Sequence, residues 1–247
     1  TLAPFGMGAW AADINDHGQV TGGMIVDGAL HTFLWDGSLH DLGSTPDGGG
    51  WGRSINSSGQ IAVDGGGHAY LYDGTMHDLG TLGGRNTQPT SINSRGQVVG
   101  WSSTAPGDSP THAFLFDGTT MRDLGSLEGP GGNSYAGAID SAGRVAGTST
   151  ASDGHDHVFV YDGTMHELGI VGDGAYVSDM NDRGWIAGGF FDVQDQASRL
   201  FFYDGTLHVL EQFSAPWSYA QTFGLNDLGQ VVGRGTYGVG PEVAVIW

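Results

Sequence analysis

The chain contains no cysteine, which removes disulfides, zinc–thiolate sites and thiol nucleophiles together and leaves the redox compartment open. It contains no lysine either. Its eight basic residues are all arginine, set against 27 acids for a formal charge of −19. Phosphate backbones and anionic lipid surfaces are gripped by clustered basic side chains, so neither nucleic acid nor an anionic membrane is an expected partner. No apolar run approaches the ~18–20 residues of a membrane-spanning helix. Charged residues make up only 14% of the chain, and disordered chains are richer in charge and poorer in aromatics. Proline is sparse at eight residues, whereas glycine reaches 46 of 247, far above its usual share of roughly 7%. Those glycines lack the three-residue period of collagen. With 11 Phe, 8 Tyr and 7 Trp the chain can build a core.

The glycines belong to a repeat. Ile14-Asn15-Asp16-His17-Gly18-Gln19-Val20 returns, with small changes, at 55–61, 92–98, 139–145, 180–186 and 225–231. The Asn positions, 15, 56, 93, 140 (Asp), 181 and 226, lie 41, 37, 47, 41 and 45 residues apart. Each of the six units reads as four short strands. The first ends at Ile-Asn and the second is the Gln-Val-Val-Gly segment. The third is His31-Thr32-Phe33-Leu34-Trp35 and its copies, and the fourth is Leu39-His40-Asp41-Leu42 and its copies. Asn-x-x-Gly fits a type I turn closed by a left-handed glycine, the three-residue hairpin with a bulge. The Asp-Gly pairs at 36–37, 73–74, 117–118, 162–163 and 204–205 predict two-residue type I′ hairpins between third and fourth strands. Glycine closes the second strand at Gly22, Gly100, Gly147, Gly188 and Gly233, with Val63 the exception, and glycine within a strand often marks close approach of another backbone. No segment carries a helical period.

Repeated four-stranded units of about 40–45 residues make a β-propeller. The expectation is an all-β chain forming one six-bladed domain over residues 1–247, with four-stranded antiparallel blades. Unit six stops at Val243-Ala244-Val245-Ile246-Trp247, aligned with the third strands, so the last blade is expected to lack its outer strand. Thr1-Leu2 aligns with Thr81-Leu82, the pair after Asp-Leu-Gly. A segment before Thr1 would then supply the missing strand and bring Thr1 near Trp247. The repeats resemble the bacterial HAF extracellular repeat family, named for its His-Ala-Phe triplet. His112-Ala113-Phe114, the run from Asp78 to Gly84, and Ile92-Asn93 through Gly100 match that pattern, and the likeness runs along essentially the whole chain. Units five and six drift, with Arg199 and Val243 in place of the histidine. The resemblance implies a secreted, periplasmic or cell-surface propeller and no established reaction.

In a propeller blade the connections alternate between two ends. One end holds the uniform Asn-x-x-Gly and Asp-Gly turns, and the other holds variable loops such as 101–110 and 126–134. Binding residues usually sit on variable loops over a rigid frame. Five residues before the repeated Asn lie Trp10, Trp51, Gln88, Tyr135, Tyr176 and Gln221, with Trp101, Trp217, Tyr219, Tyr237 and Phe5 on neighbouring segments. Rings with an apolar face and a polar handle suit a sugar or a protein partner, and they also suit packing between blades. The candidate ligand-binding residues are therefore Trp10, Trp51, Trp101, Tyr135, Tyr176, Trp217, Tyr219 and Tyr237.

The histidines recur as two series, His31, His68, His112 and His157 and then His40, His77, His166 and His208. Copies in successive blades are too far apart to share one ion at the ~2 Å metal–nitrogen distance, so structural hydrogen bonding is expected, with no metal and no cofactor. His155-Asp156-His157 is a local cluster without an evident third ligand. Loop acids outside the repeat motifs include Asp47, Asp64, Asp108, Glu128, Asp153, Asp173, Asp192 and Asp195. Nothing in the chain matches a nucleophile elbow, a Walker loop or an EF-type calcium loop. Three functions stay open: a lectin-like binder of extracellular glycan, a structural subunit of a larger, membrane-associated complex, and a polysaccharide hydrolase or lyase using loop carboxylates.

Overall fold

The computed structural model describes residues 8–192, 194, 197–210, 217–237 and 242–247, with backbone alone at 217–219, 237 and 242. The chain divides into two compact units, Thr1–Asp123 and Leu124–Trp247. Each carries three antiparallel sheets whose strands pair in sequence order, and no helix occurs among the described residues. Blade one comprises Ala9–Ile14, Val20–Val26, Ala29–Trp35 and Leu39–Gly43. The next four occupy residues 51–78, 87–123, 134–171 and 173–210, again with four strands each, and the sixth has three strands, over 217–246. Five four-stranded blades and a three-stranded one are the six-bladed β-propeller that the repeat predicts. Thr1 lies outside the described residues, as do Phe5 and Asp195.

The Asn-x-x-Gly turn takes the expected form. Gly18 donates its N–H to the carbonyl of Asn15 at 2.9 Å, and Asn15 donates to Gln19 at 3.0 Å. Gly18 sits at φ 73°, with its five counterparts between 77° and 87°, a region where a Cβ would meet the carbonyl. The Asp-Gly expectation needs correction. Trp35 pairs with Leu39, Tyr72 with Met76, Tyr161 with Met165 and Tyr203 with Leu207, so the connection is the three residues Asp-Gly-Ser/Thr. Only its glycine has positive φ, whereas a type I′ turn needs two such residues. The true two-residue turn is Asp27-Gly28, between the second and third strands of blade one. Val26 pairs with Ala29 there, and φ is 51° and 83°.

Each innermost strand is bulged, as between Ala11 and Asp13 or Val177 and Asp179. The bulge pushes a carbonyl toward the second strand and explains the glycine there. A Cβ on Gly22, Gly100, Gly147, Gly188 or Gly233 would stand 1.9–2.3 Å from the carbonyl oxygen of Trp10, Gln88, Tyr135, Tyr176 or Gln221. On Gly147 it would also approach the Phe159 ring, at 2.8 Å. The blade cores centre on that third-strand ring, Phe33, Tyr70, Phe114, Phe159 or Phe201, all fully buried. Blade two moves its glycine across the ladder, where Val63 faces Gly52.

Polar relays tie successive blades at the turn end. Asn15 Nδ2 donates to Gln19 Oε1 and to the Asn56 carbonyl of the next blade, both at 2.8 Å. Asn56 repeats this toward Gln60 and the Asn93 carbonyl, at 2.8 and 2.9 Å, and Asn181 donates to the Asn226 carbonyl at 3.0 Å. Blade four carries Asp140, which has no amide to donate. Arg144, where most other blades have Gln, supplies the donors instead. Its Nε bonds Asp140 at 2.6 Å and its Nη2 reaches the Asp182 carbonyl at 3.3 Å.

Candidate functional site

The aromatic register lies at the opposite end of the blades. Trp10 and Trp51 begin the inner strands of blades one and two, each a bulge's length before the repeated Asn. Their ring centroids are 6.0 Å apart at 30°, within the range of aromatic pairs. Trp51 lies over Gly23 of the neighbouring blade, where a Cβ would come within 2.7 Å of its ring. Trp10 remains 52% exposed. Arg53, two residues along the same strand, holds its guanidinium carbon 6.0 Å from the Trp51 centroid and bonds Asp64 at 2.6 Å. Asp64 ends the second strand of that blade, opposite Trp51, so it is part of the sheet and ion-paired rather than a free loop acid. The result is a pair of indoles, one of them half exposed, beside an adjacent donor and acceptor.

Other candidates are placed differently. Tyr176 packs against Gly189, and its hydroxyl accepts a 3.2 Å bond from the Thr222 N–H of the next blade; it is a strut between blades five and six. Tyr135 is 42% exposed and pairs with Thr148, while Trp101 is half-buried opposite Gln88. Trp217 pairs with Tyr237 and Tyr219 with Thr236 through the backbone, and the three aromatic side chains lie outside the described residues.

The histidines brace the sheets, as expected of them. His31 bonds Asp41 at 2.8 Å, His112 bonds Asp123 at 2.8 Å and His157 bonds Glu167 at 2.7 Å, each joining third strand to fourth. The second series closes the Asp-Gly-Ser/Thr turn: His40, His77, His166 and His208 reach Asp36, Asp73, Asp162 and Asp204 at 2.8–3.0 Å. These bonds hold the carboxyls of Asp36, Asp73 and Asp204 below the usual aspartate range. Blade three has Arg122 in place of that histidine and a turn one residue longer. Backbone bonds from Thr120, with further bonds from Thr119, bring Asp117 down to about 2.

Most acids left outside the motifs are engaged too. Asp108 accepts from the Arg85 N–H at 3.1 Å, Asp173 meets His155 at 2.8 Å and Asp153 meets His157 at 2.9 Å. One group is unlike the rest. Asp47, from the loop joining blades one and two, approaches His68 and Asp78 of blade two and accepts a short hydrogen bond from the Tyr70 hydroxyl. Burial, reinforced by that bond, raises the Tyr70 pKa, so the phenol stays a donor. Sequence reasoning missed this set because its members lie on three segments. A polar hollow of about 380 Å³ at the turn end is lined by His17, Gln19, Asp36, Ser57 and Ser58, but Gln19 and Asp36 are already bonded into the scaffold.

No protein-family model and no curated protein matches the sequence. Solved structures do share its fold. A protein from Agrobacterium tumefaciens assigned as TolB aligns with a TM-score of 0.56 at 14% identity, over 81% of this chain and 74% of that one. The acylaminoacyl peptidase of Pyrococcus horikoshii aligns at 0.55 and 12% identity, over 98% of this chain and 45% of that one. The fucose-specific lectin of Aleuria aurantia aligns at 0.49 and 13% identity, over 98% of this chain and 96% of that one. At such identities the first two alignments show a shared β-propeller fold and nothing further.

Proposed function

We propose that the chain is a non-catalytic binding module that takes a neutral glycan at the loop end of blades one and two. The observation that carries this reading is the exposed Trp10 ring paired with Trp51 and flanked by the Arg53–Asp64 ion pair. The C–H face of a pyranose ring stacks on an indole, and vicinal hydroxyls match a guanidinium donor set beside a carboxylate acceptor. Trp101 and Tyr135 are the further contact residues we propose for their own blades. Trp217, Tyr219 and Tyr237 are the contact residues we propose for blade six, whose own register position is Gln221. Tyr176 is already bonded to Thr222 of the next blade. The His-Ala-Phe repeats support a place among the HAF extracellular repeat proteins and a location outside the cytoplasm.

A glycan array followed by calorimetry tests this. Specific binding of one sugar class is expected, weakened at least ~10-fold by Trp51→Ala and by Trp10→Ala, each removing a stacked ring worth ~1.5 kcal/mol or more. An array without signal, together with recovery of the native protein in a stable assembly, would replace this reading with that of a structural subunit. Polysaccharide turnover lost in Asp64→Asn would replace it with the hydrolase or lyase.

A further inference from the structure

We propose that Asp47, His68 and Asp78 form a mononuclear site for a divalent metal of the zinc class. The repeat supplies the first contrast. In three sister blades the third-strand histidine closes on its fourth-strand carboxylate at ordinary hydrogen-bond length: 2.8 Å for His31–Asp41, 2.8 Å for His112–Asp123 and 2.7 Å for His157–Glu167. In blade two the same pair is drawn out to a long hydrogen bond. His68 Nδ1 is 3.4 Å from Asp78 Oδ2, and a second carboxylate, Asp47, lies 3.6 Å from the same nitrogen. A contact of 3.6 Å is too long for a hydrogen bond. Bonds of ~2.0–2.1 Å around a tetrahedral ion hold its ligand atoms ~3.3–3.4 Å apart. The three ligand atoms of this site all lie within 4.8 Å of one another.

Blade four provides the second contrast. His157 also has two carboxylates, but they take opposite ring nitrogens, Glu167 on Nδ1 at 2.7 Å and Asp153 on Nε2 at 2.9 Å. Those are completed hydrogen bonds with no common centre. At His68 both carboxylates converge on one nitrogen, where a single lone pair or a single proton cannot serve both in the way one cation can.

The third ligand is held in place by the scaffold. Asp47 sits in a turn closed by Thr45 N–H to the Gly49 carbonyl at 2.7 Å and Gly48 N–H to the Thr45 carbonyl at 3.0 Å. That turn lies against Gly65 and Gly66. A Cβ at either would come within 2.6 Å of Thr45 Oγ1 or of the Gly48 carbonyl. The Tyr70 hydroxyl bonds Asp47 Oδ2, the oxygen that also faces His68; a carboxylate oxygen has a second lone pair for a cation. The Gly80 N–H bonds Asp78 Oδ1 at 2.8 Å, leaving Oδ2 toward the histidine. Ligating carboxylates characteristically carry such outer partners. One imidazole and two carboxylates suit zinc, cobalt(II) or manganese(II) rather than a soft ion. Three protein ligands leave a coordination position for water or an exogenous oxygen.

The test uses the full chain stripped with chelator and titrated with ZnCl₂ by calorimetry, and with CoCl₂ by visible absorption. One equivalent is expected, with a Kd below ~10 μM, a cobalt band of low-coordinate intensity and a raised melting temperature. Asp47→Asn keeps an acceptor for Tyr70 and is expected to weaken binding at least ~10-fold, as is His68→Gln. His31→Gln, in the sister brace of blade one, is expected to leave metal binding unchanged. Binding weaker than millimolar, binding that survives Asp47→Asn, or an equal loss in His31→Gln overturns the proposal. If the His68 variant fails to fold, X-ray absorption of the zinc-loaded wild type decides, because an all-oxygen shell without imidazole is incompatible with the site.

Discussion

The relay between blades makes a quantitative prediction at Asn56. This side chain is 4% exposed, and its Nδ2 donates to Gln60 and to the Asn93 carbonyl of the next blade. Its Oδ1 accepts from the N–H groups of Ser58 and Gln60. Asn56→Asp preserves the acceptor and the shape but removes both donors. The Gln60 amide can rotate to donate to the new carboxylate, so that bond is recoverable. The Asn93 carbonyl has no such remedy and would face a buried carboxylate oxygen. One net hydrogen bond is worth ~1 kcal/mol, and mispairing a buried group costs ~1–3 kcal/mol more, so the variant should lose roughly 2–4 kcal/mol. For a chain of this size that lowers Tm by about 5–12 °C. Blade four already holds the remedy, since Asp140 is served by Arg144. Adding Gln60→Arg to Asn56→Asp should therefore restore more than half of the loss, through new donors to the introduced carboxylate and to the backbone of the following turn. Calorimetric melting and urea titration of the wild type, both single variants and the double variant form a cycle with an expected coupling of at least ~1.5 kcal/mol. A coupling within ~0.5 kcal/mol of zero would refute the relay as the reason for the paired Asp–Arg exchange.

Three further outcomes follow from the same geometry. Gly147→Ala places a Cβ 2.2 Å from the Tyr135 carbonyl and 2.8 Å from Phe159, and should cost at least ~3 kcal/mol, read as loss of soluble protein or a melting point far below wild type. Burial disfavours the charged form of His157, yet hydrogen bonds to Glu167 and Asp153 outweigh it and raise its pKa; the bond to Asp173 raises that of His155. Their contribution is complete below the ordinary histidine pKa of 6.5 and lost as pH climbs through the raised values. Asp153, held low first by the His155 N–H and then by His157, contributes above 3.8 and fails as pH drops through its lowered value. Melting temperature should thus fall as pH rises above 6.5, less so in His157→Gln; an unchanged pH slope in that variant rejects the assignment. With a net charge of −19, binding of an acidic partner should strengthen as salt shortens the Debye length to about 10 Å at 0.1 M, whereas a neutral glycan should respond little. Steady weakening of binding with salt would point to a basic partner.

Much of the fold was legible because it is periodic. Five copies of Asn-x-x-Gly and one of Asp-x-x-Gly set the number of blades and the inner turn, and the alignment of Val243–Trp247 with the third strands set the three-stranded last sheet. The Asp-Gly pairs misled because a third residue, Ser38, Thr75, Thr164 or Thr206, belongs to the turn. Its N–H or hydroxyl bonds the Asp carboxylate or the following histidine, and this local network replaces the double left-handed backbone. The relay was visible only as residue types: nothing in one chain says that Asn15 donates to a carbonyl 41 residues away. The aromatic register could be counted from the repeated Asn, but its partners could not. Arg53 meets Asp64 across a ladder, and Asp47 meets His68 by way of a loop from the preceding blade. Those distances depend on register and close approach, which composition does not carry.

The two ends of the blades follow from one constraint, that buried and half-buried polar groups need partners. At the turn end the repeat supplies them internally: Asn to Gln and to the next blade, Asp to its turn histidine. His40, His77, His166 and His208 each lie within salt-bridge distance of the aspartate of their own turn. A surface whose charges are matched by its own scaffold has little left to offer a ligand. At the other end the repeat stops dictating sequence, and Trp10 is 52% exposed there. Blade two shows how small the step from brace to site can be. Its His68–Asp78 pair is the brace of blades one, three and four, and the added element is one carboxylate, Asp47, on a loop that Gly65 and Gly66 allow to lie close. The brace opens to 3.4 Å, against 2.8 Å in His31–Asp41 and His112–Asp123. The brace there is a longer hydrogen bond, and the residue that distinguishes it is supplied by a loop, while the strands carry the other two as in the sister blades.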